Sequence, residues 1–257
     1  MRGDVSSQER QRQILDLIGR SQRVTVNQVV ATFAVSQATA RRDLEVLAEQ
    51  GKVRRVHGGA IAMRAGTTEP PVLQRMSEQA SEKERIGRAA AGLVADGETI
   101  FLGSGTTVLE VTKNLRERRD LTVITNSMLV LSALADLPSI SVIALGGGLN
   151  RSGMCFVGHI AVQSLSELRT SKVIFSIRGI DVEHGLTNDD LQETMVDRHI
   201  LTVAREVIIC ADHTKCGRVA AAVVAPMTAL NTLVTDRQTS SDFVAGARAK
   251  GVRVVVA

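Results

Sequence analysis

Residues 25–62 read TVNQVVATFAVSQATARRDLEVLAEQGKVRRVHGGAIA, and this stretch decides how the N-terminal part of the chain folds. Thr25 and Gln28 have the spacing of a capping box, so a helix is expected to open there with Val29, Val30 and Phe33 on its inner face. A break at Ala34–Val35 follows. Ser36 is then placed to cap another helix, with Ala40, Leu44 and Leu47 on one side and Gly51 as its stop. Lys52–Arg55 leads through His57-Gly58-Gly59 into Ala60–Ala62, which reads as a two-stranded hairpin. Upstream, residues 6–19 read as a helix that starts at a Ser6/Glu9 capping box and stops at Gly19. It carries a stripe of Ile14, Leu15, Leu17 and Ile18, and Arg23–Val26 follows as a short strand. Two helices on a tight turn, the second rich in arginine, followed by a basic hairpin, have the plan of a winged helix-turn-helix.

Charge separates this segment from the rest. Residues 1–63 carry ten Lys and Arg against six Asp and Glu, which accounts for the whole net charge of +4, so the remaining residues balance to zero. A basic head on a neutral body fits a polyanion-binding module, although a merely solvated basic face has the same arithmetic. The helix pattern favours the first reading. A helix that buries Ala40, Leu44 and Leu47 turns Gln37, Ala38, Arg41 and Arg42 outward, with Asp43 the one acid beside the two arginines. Gln and Arg match base edges; Ser36, Thr39 and the hairpin cations Lys52, Arg54, Arg55 and His57 match phosphates. Double-stranded DNA is the expected partner.

The chain of 257 residues is long enough for two domains, and its 44% hydrophobic content supports a sizeable core. Five Phe with no Trp or Tyr argue against stacking platforms for RNA or single strands. Cys155, Cys210 and Cys216 are odd in number and far apart, as suits a reducing cytoplasm. No apolar leader and no apolar run near ~18 residues is present, so no membrane partner is expected.

Residues 64–80, with two adjacent prolines, read as a linker or strap between a domain at 1–63 and another at 81–257. A helix is expected from Ser81, boxed by Glu84, with Ile86, Ala89, Ala90, Leu93 and Val94 inside. Beyond it, β-branched runs at Thr99–Leu102, Leu121–Thr125, Ser141–Leu145, Lys172–Ile177, Glu206–Ala211, Asn231–Thr235 and Val252–Val256 alternate with helical patterns at 106–116, 128–136, 159–169, 189–204 and 240–250. That alternation predicts an α/β domain with a mostly parallel sheet covered on both faces.

Ligands of such sheets lie at the carboxyl ends of strands. The segments expected there are Gly103-Ser104-Gly105-Thr106-Thr107, Thr125-Asn126-Ser127, Gly146-Gly147-Gly148 and Asp212-His213-Thr214-Lys215. Small, hydroxyl-bearing loops that open helices cradle anions, and Lys215 adds a cation, so a phosphorylated small molecule is the expected ligand. Neither GxGxxG nor GxxxxGK[ST] occurs, and no cofactor is expected.

At this point the residues resemble the DeoR family of bacterial sugar-metabolism repressors over nearly the whole chain. The similarity rests on Val35-Ser36-Gln37-Ala38-Thr39-Ala40-Arg41-Arg42-Asp43-Leu44, Gly51 and Arg55-Val56-His57-Gly58-Gly59-Ala60, and on Gly105-Thr106-Thr107, Thr125-Asn126-Ser127, Gly146-Gly147-Gly148, His184-Gly185-Leu186-Thr187 and Ala211-Asp212-His213-Thr214-Lys215. The resemblance implies a repressor with a sensor domain related to ribose-5-phosphate isomerases and acyl-CoA transferases, a phosphorylated sugar or related intermediate as effector, and a homodimer or homotetramer on repeated operator half-sites. Three positions depart from the family pattern: Gly103 and Arg178 replace acidic residues, and Asp197, downstream of Glu193, replaces a lysine. The reversed signs at 178 and 197 fit either a swapped ion pair, the more economical reading, or Arg178 as a second anion contact.

Two other functions fit less well. A sugar-phosphate isomerase or CoA transferase needs a general base, and Glu193 is the one carboxylate to nominate. A zinc site would have to be built from His213 and Cys216, a weak pair, and no metal is expected.

Overall fold

The computed structural model describes residues 7–21, 23–49, 52–56, 58–62 and 70–257. The chain divides into two compact units, residues 1–67 and 68–257.

In the first unit, α1 (Ser7–Ser21), β1 (Arg23–Thr25), α2 (Val26–Phe33), α3 (Gln37–Glu49), β2 (Val53–Val56) and β3 (Gly59–Ala62) follow one another. The capping box at α2 forms in both directions: Thr25 Oγ1 accepts from the Gln28 N–H at 3.1 Å, and Gln28 Oε1 accepts from the Thr25 N–H at 2.7 Å. Ala34, left-handed at φ 54, makes the turn. Ser36 Oγ then accepts the Thr39 N–H at 3.1 Å and caps α3. Ile14, Ile18, Val24, Val29, Ala40, Leu44 and Leu47 close a single small core.

Two expectations change here. Helix α1 runs through Gly19 to Ser21, because one glycine weakens a helix without stopping it. The hairpin is one side of a three-stranded sheet of order β1-β3-β2, because β1 pairs antiparallel with β3. The expected cap at Ser6 and stop at Gly51 lie outside the described residues.

The second unit contains α4 (Ala80–Ala91), β4 (Thr99–Leu102), α5 (Thr106–Lys113), β5 (Leu121–Thr125), α6 (Met128–Leu134), β6 (Ile140–Ala144), β7 (Gly148–Asn150), β8 (Cys155–Val157) and α7 (His159–Ser166). It continues with β9 (Thr170–Phe175), β10 (Gly179–Asp181), β11 (Gly185–Asn188), α8 (Leu191–Ile200), β12 (Ala204–Cys210), β13 (Ala222–Ala225), β14 (Thr232–Thr235), α9 (Ser241–Ala249) and β15 (Arg253–Val256). All seven strands expected from apolar runs form one sheet, in the order β15-β14-β12-β9-β4-β5-β6, and every neighbouring pair is parallel. Both faces are buried along the central strands. Ile100 and Leu102 belong to one core and Phe101 to the other; Ile174 and Ile208 side with the first, Val173, Phe175, Val207 and Ile209 with the second. That is the period of two expected of strands covered on both sides.

The strand order positions the site. From β4 the sheet grows one way through β5 and β6, and the other way through β9, β12, β14 and β15. The chain therefore leaves β4 and β9 in opposite directions, and a crevice opens between their carboxyl ends, as at any such switch point.

The stretch 64–80 does not behave as a linker where it is described. Residues 70–80 are built into the second unit: Val72 is fully buried, its N–H donates to the Ser152 carbonyl at 2.7 Å, and Gln74–Ser77 forms a 3-10 turn. The prolines direct this turn instead of loosening it. Helix α4 begins at Ala80 after Gln79, whose φ is 47, with no side-chain cap, and Ser81 Oγ is spent on Glu82 instead of a Ser81/Glu84 box. Two further pieces fall outside the sequence expectation, the antiparallel β7–β8 hairpin and the small sheet β10-β11-β13.

Candidate functional site

On the first unit, α3 presents Ser36, Gln37, Ala38, Arg41 and Arg42 to solvent, with Thr39 half-buried behind them. Asp43 turns away from that face. It is buried, with Arg10 Nε at 2.6 Å, Arg10 Nη2 at 3.3 Å and Gln11 Nε2 at 3.1 Å on its carboxylate, so α1 engages the acid that the sequence sets beside Arg41 and Arg42. The hairpin is tied to the start of α2 by the Val26 N–H donating to the Gly58 carbonyl at 2.9 Å, and Arg55 Nη1 donates to the Gly59 carbonyl at 2.9 Å. A Cβ at position 59 would lie 2.1 Å from the Val24 carbonyl oxygen, so only glycine lets β3 approach β1. A shallow groove results, lined by Asn27, Gln37, Arg41, Arg55 and Gly58. Asn27 is an addition to the sequence reading; its place in the first turn of α2, two residues after the cap, is the available signal. Lys52 is exposed, Arg54 falls within β2, and His57 lies outside the described residues.

In the second unit, a cleft of about 760 Å³, partly continuous with solvent, opens at the switch point between β4 and β9. Of the expected ligand residues it gathers Ser104, Gly105, Thr106, Thr107, Arg178, Glu193 and Lys215. Gly105, at φ 114, lets the chain turn from β4 into α5, and Ser104, Gly105, Thr106 and Thr107 at the head of that helix line the cleft. Gly103 lies beneath the loop. Its N–H continues the ladder to the Ile174 carbonyl at 3.0 Å, and a Cβ there would stand 2.6 Å from Phe175 Cβ. The missing acid at 103 thus has a steric cause.

Thr125-Asn126-Ser127 and Gly146-Gly147-Gly148 are not among the residues lining the cleft. Thr125 Oγ1 accepts the Ser127 N–H at 3.0 Å, Asn126 Nδ2 donates to the Phe156 carbonyl at 3.2 Å, and Ser127 Oγ caps α6 at the Val130 N–H, 3.3 Å away. Gly147, at φ 142, packs where a Cβ would meet the Val157 carbonyl at 2.6 Å. The hairpin β7–β8 covers the end of β5, and these loops serve that hairpin.

Arg178 pairs with Asp189, Nε to Oδ2 at 2.7 Å, with both side chains nearly buried. Asp197 accepts a hydrogen bond from Asn188 Nδ2 at 2.6 Å. Burial, followed by the charge of Glu193, raises the Asp197 carboxyl well above its ordinary value, and Asp190 adds to the shift. The swapped Arg178–Asp197 pair is therefore not formed: the acid facing Arg178 is Asp189, and the charges acting on Asp197 are carboxylates. Beside it, Glu193 Oε1 accepts from Asn150 Nδ2 at 3.0 Å, and Gly153 leaves the room, since a Cβ there would lie 2.5 Å from that oxygen.

The sequence reading missed part of the lining. Arg75 and Lys83 also line the cleft. Lys83 is only 5% exposed, its Nζ donates to the Arg75 carbonyl at 2.7 Å, and burial lowers its pKa against the opposing pull of Asp212. The signal was available: Lys83 stands at the head of the buried stripe Lys83, Ile86, Gly87, Ala90 of α4, where a charge on an apolar face is unusual.

The thiols are quiet. Burial pushes Cys210 up to about 12 and Cys216 up to about 11, and pushes Cys155 higher still, so all three stay protonated at neutral pH. His213 Nδ1 lies 3.1 Å from Asp236 Oδ1, while Cys216 Sγ sits against Thr235 and Thr239. Among the described residues, no three of His, Cys, Asp and Glu converge as metal ligands, and no helix is long and apolar enough to cross a membrane.

The family models agree with this division. The DeoR-like helix-turn-helix domain matches residues 10–65, and the DeoR C-terminal sensor domain matches residues 78–237. The chain is 34% identical over 236 residues to the transcriptional repressor AccR of Agrobacterium fabrum, covering 91% of each. It is 34% identical over 249 residues to the transcriptional repressor GlcR of Bacillus subtilis, covering 97% of this chain and 96% of that one. To the glycerol-3-phosphate regulon repressor of Escherichia coli it is 32% identical over 228 residues, covering 89% and 90%. With a DNA-reading head matched by one family model and a cleft-bearing sheet matched by the other, the chain belongs to the DeoR family of helix-turn-helix transcriptional repressors.

Proposed function

We propose that this protein represses carbohydrate genes by binding operator DNA through Ser36–Arg42 and the hairpin, and is released when a phosphorylated sugar or related metabolite fills the cleft between β4 and β9. The observation that carries the reading is the polarity of that cleft. The Ser104–Thr107 loop at the head of α5 and Lys215 offer donors and a cation suited to a phosphate, and Asn188, Glu193 and Asp197 in the same lining suit hydroxyl groups. A ligand with an anion at one end and hydroxyls along its length matches both.

The protein acts as a regulator rather than a catalyst in this reading. Glu193 is held by Asn150, with the Cys155 thiol 3.6 Å away, and positions 103 and 178 offer no second base. The working form is a homodimer or homotetramer placing paired heads on repeated half-sites. The effector must bind the DNA-free arrangement more tightly, with a coupling of about 1–3 kcal/mol.

A thermal-shift panel of phosphorylated and unphosphorylated sugars, followed by operator-release assays, tests this. A true effector at 100 times its Kd adds about 2.7 kcal/mol of stability. Stabilisation by neutral sugars alone, or turnover of a sugar phosphate, would sink the reading.

A further inference from the structure

Part of the cleft lining, Arg75, Glu78 and Gln79, belongs to the described part of the segment that arrives from the DNA-binding unit. Residues 70–79 are held by a set of backbone hydrogen bonds and by the buried Val72. The Val72 N–H donates to Ser152, the Gln74 and Arg75 N–H groups both turn back to the Pro71 carbonyl at 2.9 and 3.3 Å, and the Glu78 N–H reaches the Arg75 carbonyl at 3.1 Å. Arg75 Nε donates to the Pro70 carbonyl at 3.0 Å. Gln79, in the left-handed region at φ 47, joins this strap to α4, a conformation a non-glycine residue holds only under constraint. The ammonium of Lys83 reaches up from the buried face of α4 to the Arg75 carbonyl, the oxygen that closes the turn.

Lys83 thus lines the cleft, and its ammonium, within reach of the charges of Asp212 and Lys215, holds the strap. An ammonium has three donors but one position, and a phosphate oxygen is a stronger acceptor for it than a peptide carbonyl. We propose that Lys83 is a two-way latch: its Nζ fastens the strap at Arg75, and an anion bound by the Ser104–Thr107 loop draws Nζ toward itself and unfastens residues 70–79. The Arg75 carbonyl then loses its charged donor and keeps the Glu78 N–H, and the turn loosens. The strap continues in sequence into the DNA-binding unit, whose boundary is at residue 67, so its release is the signal that leaves the sensor. This latch rests on the reading of the cleft as an anion site and adds to it the element that responds.

The test is amide hydrogen exchange on the full-length protein, with inorganic phosphate as the probe and chloride at matched ionic strength as the control. A phosphate-dependent thermal shift reports the anion site separately. The expected result is a clear shift together with about tenfold faster exchange in peptides covering 70–79, the size of effect given by loss of one hydrogen bond to a charged group. A thermal shift with unchanged or slower exchange at 70–79 overturns the latch and leaves the anion site standing. No thermal shift overturns both. In Lys83→Met, a near-isosteric change, exchange at 70–79 is expected to be fast with or without phosphate; slow exchange in that variant also overturns the latch. The comparison on the unaltered protein stands even if the variant does not fold.

Discussion

Gly103 and Phe175 are neighbours across the β4–β9 ladder at a distance no side chain at 103 can share, since a Cβ there would stand 2.6 Å from Phe175 Cβ. Gly103→Ala is therefore expected to cost about 1–3 kcal/mol in urea unfolding, the range of an overpacked core. An alanine variant of unchanged stability would mean that Phe175 moves freely. At Asp197 the sign runs the other way. Its folded-state pKa is raised, so from its ordinary 3.8 upward the native protein keeps a proton that the unfolded chain has released. Stability is then lost as pH rises from 3.8 through the folded value. Asp197→Asn removes that loss and can still accept the Asn188 hydrogen bond through its amide oxygen. Its melting temperature is expected to exceed the wild type's at pH 8 and to converge with it near pH 4. Parallel curves would show that Asp197 is ionised in the folded protein.

Among the elements, α3 depends on α1 for its seat. The Arg10–Asp43 pair is nearly buried on both sides, with side-chain exposures of 12% and 6%. Arg10→Ala strands the carboxylate, an expected loss of about 3 kcal/mol or more for the first unit, read from its own urea transition. Arg41→Ala with Arg42→Ala leaves that seat intact and is expected to weaken specific operator binding by about 1–3 kcal/mol for each arginine that reads a base. Unchanged binding in a mobility-shift assay would remove α3 from the DNA. At this scale the sequence is legible where one signal dominates. The capping residues Thr25 and Ser36 fall where expected, and each strand of the parallel sheet is found within two residues, because strands buried on both faces read as plain apolar runs. The missed strands β7, β8, β10, β11 and β13 are only three or four residues long, too short for alternation to show. Thr125–Ser127 misled for a physical reason: a hydroxyl at a strand end caps a helix or binds an anion with the same geometry, and only the covering hairpin decides which.

For the whole molecule, the separation of charge has a measurable result. DNA affinity is expected to fall steeply with salt, each neutralised phosphate adding about −0.9 to the slope of log K against log salt. Lys52→Ala should flatten that slope by about 1 and weaken all DNA sequences alike. A loss confined to the operator would make Lys52 a base contact instead. The division into two units was legible in the charge arithmetic. The lining of the cleft by the strap was not, because Pro70-Pro71 is as common in free linkers as in packed turns, and only Val72 and Lys83, apolar and charged on buried faces, tell them apart.

The order of the two units along the chain sets a schedule during synthesis. The first unit has its own core, drawn from residues between Ile14 and Ala60, and is complete in sequence before the first strand of the second unit's sheet is made. The second places β4 beside β9, some 70 residues later in sequence, and cannot close its sheet until β15 has been made. At about 5–20 residues per second, making residues 68–257 takes about 10–40 s. Each new molecule therefore finishes the part that reads DNA well before the part that listens to metabolism.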